Sequence, residues 1–209
     1  MKLKRSVFGI LMMMGSSLST VSFTQTTDNF FTDSRDGKVY KFVEANGQLW
    51  MAENLAFKTE TGHYWAYNND SANVARYGYL YDISAAWNAC PSGWHLPSLK
   101  EWKDLKKYYG GNKEAGNNMV SMDDNSFSAL PGGTHIGDDF VHLERYAWWW
   151  TSDWYQQNTE TDFFSILEAV SEKKAFWAIY LNFKNNKVRQ AQHNRWNGAS
   201  VRCVKDEVK

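Results

Sequence analysis

Apolar positions fall into helical spacing in one stretch, Tyr79–Tyr109, and the other elements are expected to pack around it. Ile83, Ala86, Trp87 and Cys90 sit at i, i+3, i+4 and i+7, which predicts one face of a helix. Asp82 or Ser84 can cap its start, and Pro91 and Gly93 end it. Gly93–Leu96 reads as a short strand or extended link, because Pro97 pushes Leu96 away from helical angles. Ser98 then opens S-x-x-E with Glu101, a capping box that satisfies free amides at a helix start. Trp102, Leu105 and Tyr109 continue one face of that second helix, and Gly110-Gly111 stops it.

Shorter runs elsewhere predict strands. Lys38–Val43 and Leu49–Glu53 flank Asn46-Gly47, a hairpin signal because both residues tolerate positive φ. Ala147–Ser152 reads as a buried strand. Ala175–Phe183 is apolar on both faces and is expected to be central, pairing with Val188–Gln192 across a tight turn. Ala199–Val204 is the final strand, with Val201 and Cys203 on one inward face. Phe127–Gly133 is a short buried segment ending in a turn. Phe23–Thr32 looks like a polar lead, Thr59–Gly78 reads as loop or irregular short strand, and Asn112–Phe127 as loop with one short turn; Gln156–Thr161 is a polar turn. The chain carries no internal repeat and no linker between domains.

The N-terminus changes the compartment. A basic start (Lys2, Lys4, Arg5), a short apolar run (Val7–Met14) and small residues to Ser22 give the order of a secretory signal peptide over residues 1–22. An uncleaved anchor is the alternative; no later stretch is long and apolar enough to span a bilayer. In an oxidising compartment Cys90 and Cys203 are most simply one disulfide, with two buried thiols as the other possibility. A formal net charge of +0 removes the bulk electrostatic case for nucleic acid or an anionic membrane surface. Aromatic residues make up 16% of the chain, a supply of flat, half-polar side chains for a core or for ligand platforms.

Six short segments occur in a fixed order: D-S-R-D-G-K-V-Y (33–40), Q-L-W-M-A-E-N-L (48–55), A-C-P-S-G-W-H-L-P-S (89–98) with E-W at 101–102, L-P-G-G (130–133), W-W-T-S (149–152) and S-V-R-C-V-K-D (200–206). Together they resemble the Fibrobacter succinogenes major paralogous domain, a family of exported bacterial proteins from Fibrobacter and Bacteroidetes, over residues 33–206. The resemblance implies an α+β, C-type-lectin-like fold: two helices packed on short, mostly antiparallel strands, rich in loops. It also implies that Cys90, on an early helix, bonds Cys203 on the last strand. The family has no established activity.

Fold does not give function, so each chemistry needs its own residues. The proline tripeptide that sugar-binding C-type lectins use for calcium has no counterpart, and Trp196-Asn197-Gly198 lacks the Asp of their second motif. Asp123, Asp124, Asn125, Asp138 and Asp139 are acidic turn residues that offer oxygen ligands but serve equally as solvated turns. His63, His95, His135, His142 and His193 show no metal-ligand spacing, and His95 reads as a packed, hydrogen-bonded residue. No metal or cofactor is expected. With both cysteines assigned to a bond, no thiol is left for the oxidase chemistry of formylglycine-generating enzymes. The remaining candidate is an aromatic ligand surface formed by Trp148, Trp150, Trp154, Tyr155 and Trp196. The other reading is that Trp149 and Trp150 are core, as part of the W-W-T-S segment; alternation along a strand puts only alternate residues inside, which would leave Trp148, Trp150 or Trp154 outside. The expectation is therefore an exported, non-catalytic binding or adhesion module of the cell envelope, with a glycan or another surface protein as partner and no nucleic acid. An enzyme on the same fold and a structural envelope component are the alternatives.

Overall fold

Asn46 and Gly47 both take positive φ, 54° and 75°, and turn the strand Val39–Ala45 back on Gln48–Met51 as their sequence predicts. The structure, a computed structural model, describes residues 29–123, 126–155 and 175–207; the expected signal segment 1–22 and the turn Gln156–Thr161 lie outside them. In chain order the elements are β1 (Phe30–Thr32), β2 (Val39–Ala45), β3 (Gln48–Met51), β4 (Tyr64–Trp65), α1 (Ala72–Tyr77), β5 (Leu80–Tyr81), α2 (Ile83–Ala86), β6 (Trp94–His95), α3 (Leu99–Tyr108), α4 (Gly111–Val120), β7 (Gly132–Ile136), β8 (Asp139–Leu143), β9 (Tyr146–Trp154), β10 (Ala175–Asn182), β11 (Lys187–Asn194) and β12 (Val204–Lys205).

The architecture is α+β with mostly antiparallel strands. One sheet has the order β1-β2-β3-β12-β6, so the first and last strands of the domain share it. The second runs β11-β10-β9-β7-β8, antiparallel except where β7 meets β9 through Gly133 and Ala147. A two-stranded ladder, β4 with β5, stands apart from both. One core cluster joins α3 and α4 to both large sheets through Trp50, Trp102, Leu105, Met119, Phe127, Trp149 and Leu181. The other gathers Tyr40, Leu55, Tyr81, Ile83, Trp150, Ala178 and Cys203 around α2.

The strand β10 lies between β9 and β11, central as its two apolar faces require. The Ser98 capping box forms in full, with the Ser98 hydroxyl on the Glu101 amide and the Glu101 carboxylate on the Ser98 amide. Cys90 and Cys203 are bonded, with Cα atoms 5.8 Å apart.

Four expectations are corrected. The helix expected to reach Cys90 is one turn long. After Trp87 its amides bond three residues back, Asn88 to Ala85 and Ala89 to Ala86, and Pro91 forbids a helical residue before it. Trp87 therefore leaves the expected apolar face and is 51% exposed. Second, Asn112–Phe127 holds the helix α4. Its Gly- and Asn-rich sequence is a poor helix former, but Ala115, Gly116 and Met119 are buried, and tertiary packing overrides propensity. Third, Thr59–Gly78 holds a short strand, β4, as one of its two readings had it, but also a 3-10 turn (Tyr67–Asn69) and the helix α1, which neither reading foresaw. Fourth, the polar lead ends in β1, because Phe31 stacks on Tyr40 and Trp94 at ring distances of 5.6 and 4.3 Å.

Candidate functional site

The ladder β4–β5 brings His63 beside Asp82, one residue outside each strand. The Asp82 amide donates to the His63 carbonyl (2.9 Å), and the His63 amide returns a bond to Asp82 Oδ2 (3.0 Å). The same carboxylate takes three roles. Its Oδ1 caps α2 through the Ala85 amide at 2.8 Å, and its Oδ2 also lies 3.0 Å from His63 Nδ1. Asp82 is buried, while the His63 side chain is 70% exposed. The carboxylate thus orients an imidazole whose other face is open.

Next along the wall, Trp65 and His135 stack with ring centroids 4.3 Å apart and planes 20° from parallel. Gly198 makes that approach possible. It pairs with His135 through both backbone bonds, and a Cβ there would stand 2.9 Å from His135 Cβ and 3.0 Å from the Trp65 ring. His63 continues the stack on one side of Trp65 (6.0 Å), and Phe140 closes the other side of His135 (4.8 Å). Burial lowers the His135 pKa, against the opposing pull of Asp138 and Asp139. Its Nδ1 is buried and meets no acceptor or donor among the described residues.

These side chains line a cleft of about 340 Å³ together with Asn69, Asp138, Gly137 and Trp196. Asn69 comes from the 3-10 turn, and Asp138 from the two-residue turn joining β7 to β8. Trp196 is half exposed and sits in the turn after β11, which is held by Trp196 and Asn197 amide bonds to Asn194 and by the Ile83 amide on the Arg195 carbonyl. The Arg195 guanidinium lies 4.7 Å above the Trp196 ring. The cleft thus offers the half-exposed Trp196 ring, the rim of the His63–Trp65–His135 stack, and polar groups at Asn69, Asp138 and His63.

The aromatic surface expected from sequence does not exist as one patch. Trp150 is fully buried, with its indole N–H on the Tyr81 carbonyl at 2.6 Å, and is removed from it. Of the two readings of Trp149 and Trp150, the core one holds for both, and the alternation that would leave Trp150 outside does not apply. Both are inside because β9 is covered on both faces, Trp149 by one core cluster and Trp150 by the other. Trp148 is half-buried, stacked between Tyr180 and His193. Tyr155 packs edge-on against Trp177, and Trp154 is 43% exposed beside its strand partner Phe176. Only Trp196 of the five lines the cleft, and its companions there, Trp65 and Phe140, went unrecognised in the sequence.

His95 is the hydrogen-bonded residue it was expected to be, with Nδ1 2.7 Å from Asp206 and Nε2 2.9 Å from Glu101. Among the described residues no three His, Cys, Asp or Glu side chains gather as metal ligands, and no helix is long and apolar enough to cross a membrane.

The sequence motifs meet inside the protein rather than at the cleft. Asn54 accepts from Trp149 Nε1 and from Arg202 Nε, both at 2.9 Å, and donates to the Tyr77 carbonyl at 2.8 Å. Arg202, fully buried, also donates to the Phe127 and Ser128 carbonyls and lies over the Phe127 ring. Three of the six segments, through Asn54, Trp149 and Arg202, are thus joined by one buried network. No curated protein and no solved structure matches the chain. The model of the Fibrobacter succinogenes major domain matches residues 43–205, most of the chain, with the 33–40 segment outside the match, so the chain belongs to the Fibrobacter succinogenes major domain family.

Proposed function

We propose that the chain is an exported, non-catalytic binding module of the bacterial cell envelope and that its cleft takes a neutral sugar of a glycan. The half-exposed Trp196 across from the Trp65–His135 stack carries this reading. Sugar rings lay their C–H faces on indole and imidazole planes while their hydroxyls seek side-chain amides and carboxylates. Asn69 and Asp138 are such groups, set on tight turns at the rim. The Cys90–Cys203 bond supports export, since such bonds persist in oxidising compartments.

We also place the fold among C-type-lectin-like domains. In favour are a first sheet shared by the ends of the domain and a cysteine after an early helix bonded to the last segment. A second reading, an enzyme on this scaffold, has one observation in its favour, the His63 imidazole oriented by Asp82. The cleft lining contains no hydroxyl or thiol nucleophile beside that pair, which favours binding.

A glycan array with the purified chain tests the proposal. The neutral glycans it retains should be lost by Trp196→Ala, and a turnover assay on the same glycans should show no cleavage. Undiminished retention by Trp196→Ala would remove the cleft from the account.

A further inference from the structure

A second concavity of about 340 Å³ lies where α3 passes the edge strand β11, and its chemistry differs from that of the cleft. Its apolar wall is Trp102, Ile179 and Val188, all buried. Its polar lining is Lys103, Lys106, Arg189 and Gln190. Lys103 and Lys106 are three residues apart on α3, so they rise from one side of the helix. Arg189 comes from β11.

This lining carries three cations and no carboxylate. Among the described residues none of the three forms an ion pair. Lys106 is partly buried, and both burial and the neighbouring Arg189 charge lower its pKa. The fold therefore holds like charges together around a concave, partly buried surface with no carboxylate in its lining among the described residues. The Trp102 indole N–H, itself buried, also meets no acceptor among the described residues.

We propose that this groove between α3 and β11 is an anion site that binds an acidic saccharide, a sugar bearing a carboxylate or a sulfate ester. Lys106 and Arg189 neutralise the anion, with the Arg fork suited to a bidentate contact. Gln190 serves the hydroxyls, and the ring's C–H face lies on Val188 and Ile179. The volume sits at the low end of the roughly 300–1,000 Å³ of small-molecule sites, room for about one or two sugar rings.

A protein partner fits less well. A docked helix needs apolar anchors along several turns, and this wall has three residues. Strand addition needs a free edge, and α4 presses Gly116 against the Asn186 backbone just before β11 begins. The groove and the cleft share no lining residue.

The test is calorimetric titration of the purified chain at low salt with trigalacturonate, with neutral galactotriose as control. Trigalacturonate should bind roughly tenfold or more tightly than galactotriose, and added salt should erase the difference. The double variant Lys106→Gln/Arg189→Gln should bring trigalacturonate down to the galactotriose level with an unchanged unfolding temperature. Trp196→Ala should leave trigalacturonate binding intact. Equal affinity for the two trisaccharides would overturn the proposal, as would binding that survives the double variant or binding lost with Trp196→Ala. A hexaglutamate peptide binding as tightly as trigalacturonate, with the same dependence on Lys106 and Arg189, would overturn the saccharide assignment in favour of an acidic protein partner.

Discussion

Trp65 lies flat on His135, ring centroids 4.3 Å apart, and Gly198 is the residue that leaves room for the pair. The wall of the cleft therefore depends on a position that contributes no side chain to it. Gly198→Ala should force Trp65 and His135 apart and cost about 1–3 kcal/mol of stability, as overpacking does. Chemical denaturation measures the loss. Near-ultraviolet circular dichroism should report a changed aromatic environment, and an unchanged spectrum and midpoint would contradict the packing described.

The buried Asn54–Arg202 pair sets a second expectation. Removing the guanidinium takes their donor from the Phe127 and Ser128 carbonyls and leaves the Asn54 side-chain carbonyl with Trp149 Nε1 alone. Arg202→Met should destabilise the protein by about 3 kcal/mol or more, since each orphaned buried acceptor costs roughly 1–3 kcal/mol. The denaturation midpoint checks it. A near-neutral effect would mean that water reaches the site.

These two sites show what was legible in the chain. Local signals held where one dipeptide or box decides the backbone, as at Asn46-Gly47 and Ser98/Glu101. The disulfide pairing was also legible, because Cys90 and Cys203 are the two cysteines of the chain. The α4 helix was hidden because its stability comes from burying Ala115 and Met119, not from its own residues. The burial of both Trp149 and Trp150 was legible in the W-W-T-S segment, which reads as core; alternation obscured it by assuming one wet face, whereas both core clusters close on β9 there. The cleft was hardest to see. Trp65, Asp82, His135, Asp138 and Trp196 converge from distant parts of the chain. One signal was available, Gly137-Asp138 between apolar runs, which marks the β7–β8 hairpin carrying Asp138.

His193 predicts an acid-side loss of stability. It is buried beneath Trp148 and Trp150, and its Nε2 lies 3.2 Å from Thr134 Oγ1. The Thr134 hydroxyl donates to the Gly198 carbonyl at 2.6 Å, which leaves its oxygen to accept from His193 Nε2–H. Burial pushes its pKa down to about 4. With a folded pKa below the unfolded value of about 6.5, the unfolded chain binds more protons in between. Stability is complete above about pH 6.5 and falls as pH drops towards 4, by up to about 3 kcal/mol. His193→Gln should flatten that slope in denaturation measured from pH 7 to pH 4. An unchanged slope would place the titration elsewhere.

His95 acts in the opposite direction. Glu101 and Asp206 outweigh partial burial and raise its pKa, so its protonated form ties the end of β12 to the start of α3. This contribution is present below the unfolded histidine value and is lost as pH rises through the raised folded value. His95→Gln should therefore destabilise the chain more at pH 6 than at pH 9. Equal effects at both would show that the ion pairs contribute nothing beyond packing.

The Cys90–Cys203 bond closes 113 residues of separation, nearly the length of the domain after α2. Replacing both cysteines by serine should cost about 2–5 kcal/mol. Thiol titration of the unfolded, unreduced chain should find no free thiol.

The central claim is that a sugar sits between Trp196 and the Trp65–His135 stack. Indole N–H signals in nitrogen-edited NMR spectra, assigned by single Trp→Phe variants, follow each tryptophan as the array-selected neutral glycan is added. The account predicts saturable shifts at Trp196 and Trp65 while Trp149 and Trp150 stay still. Shifts confined to Trp154 and Trp87, or no shift at Trp196 at saturation, would contradict it.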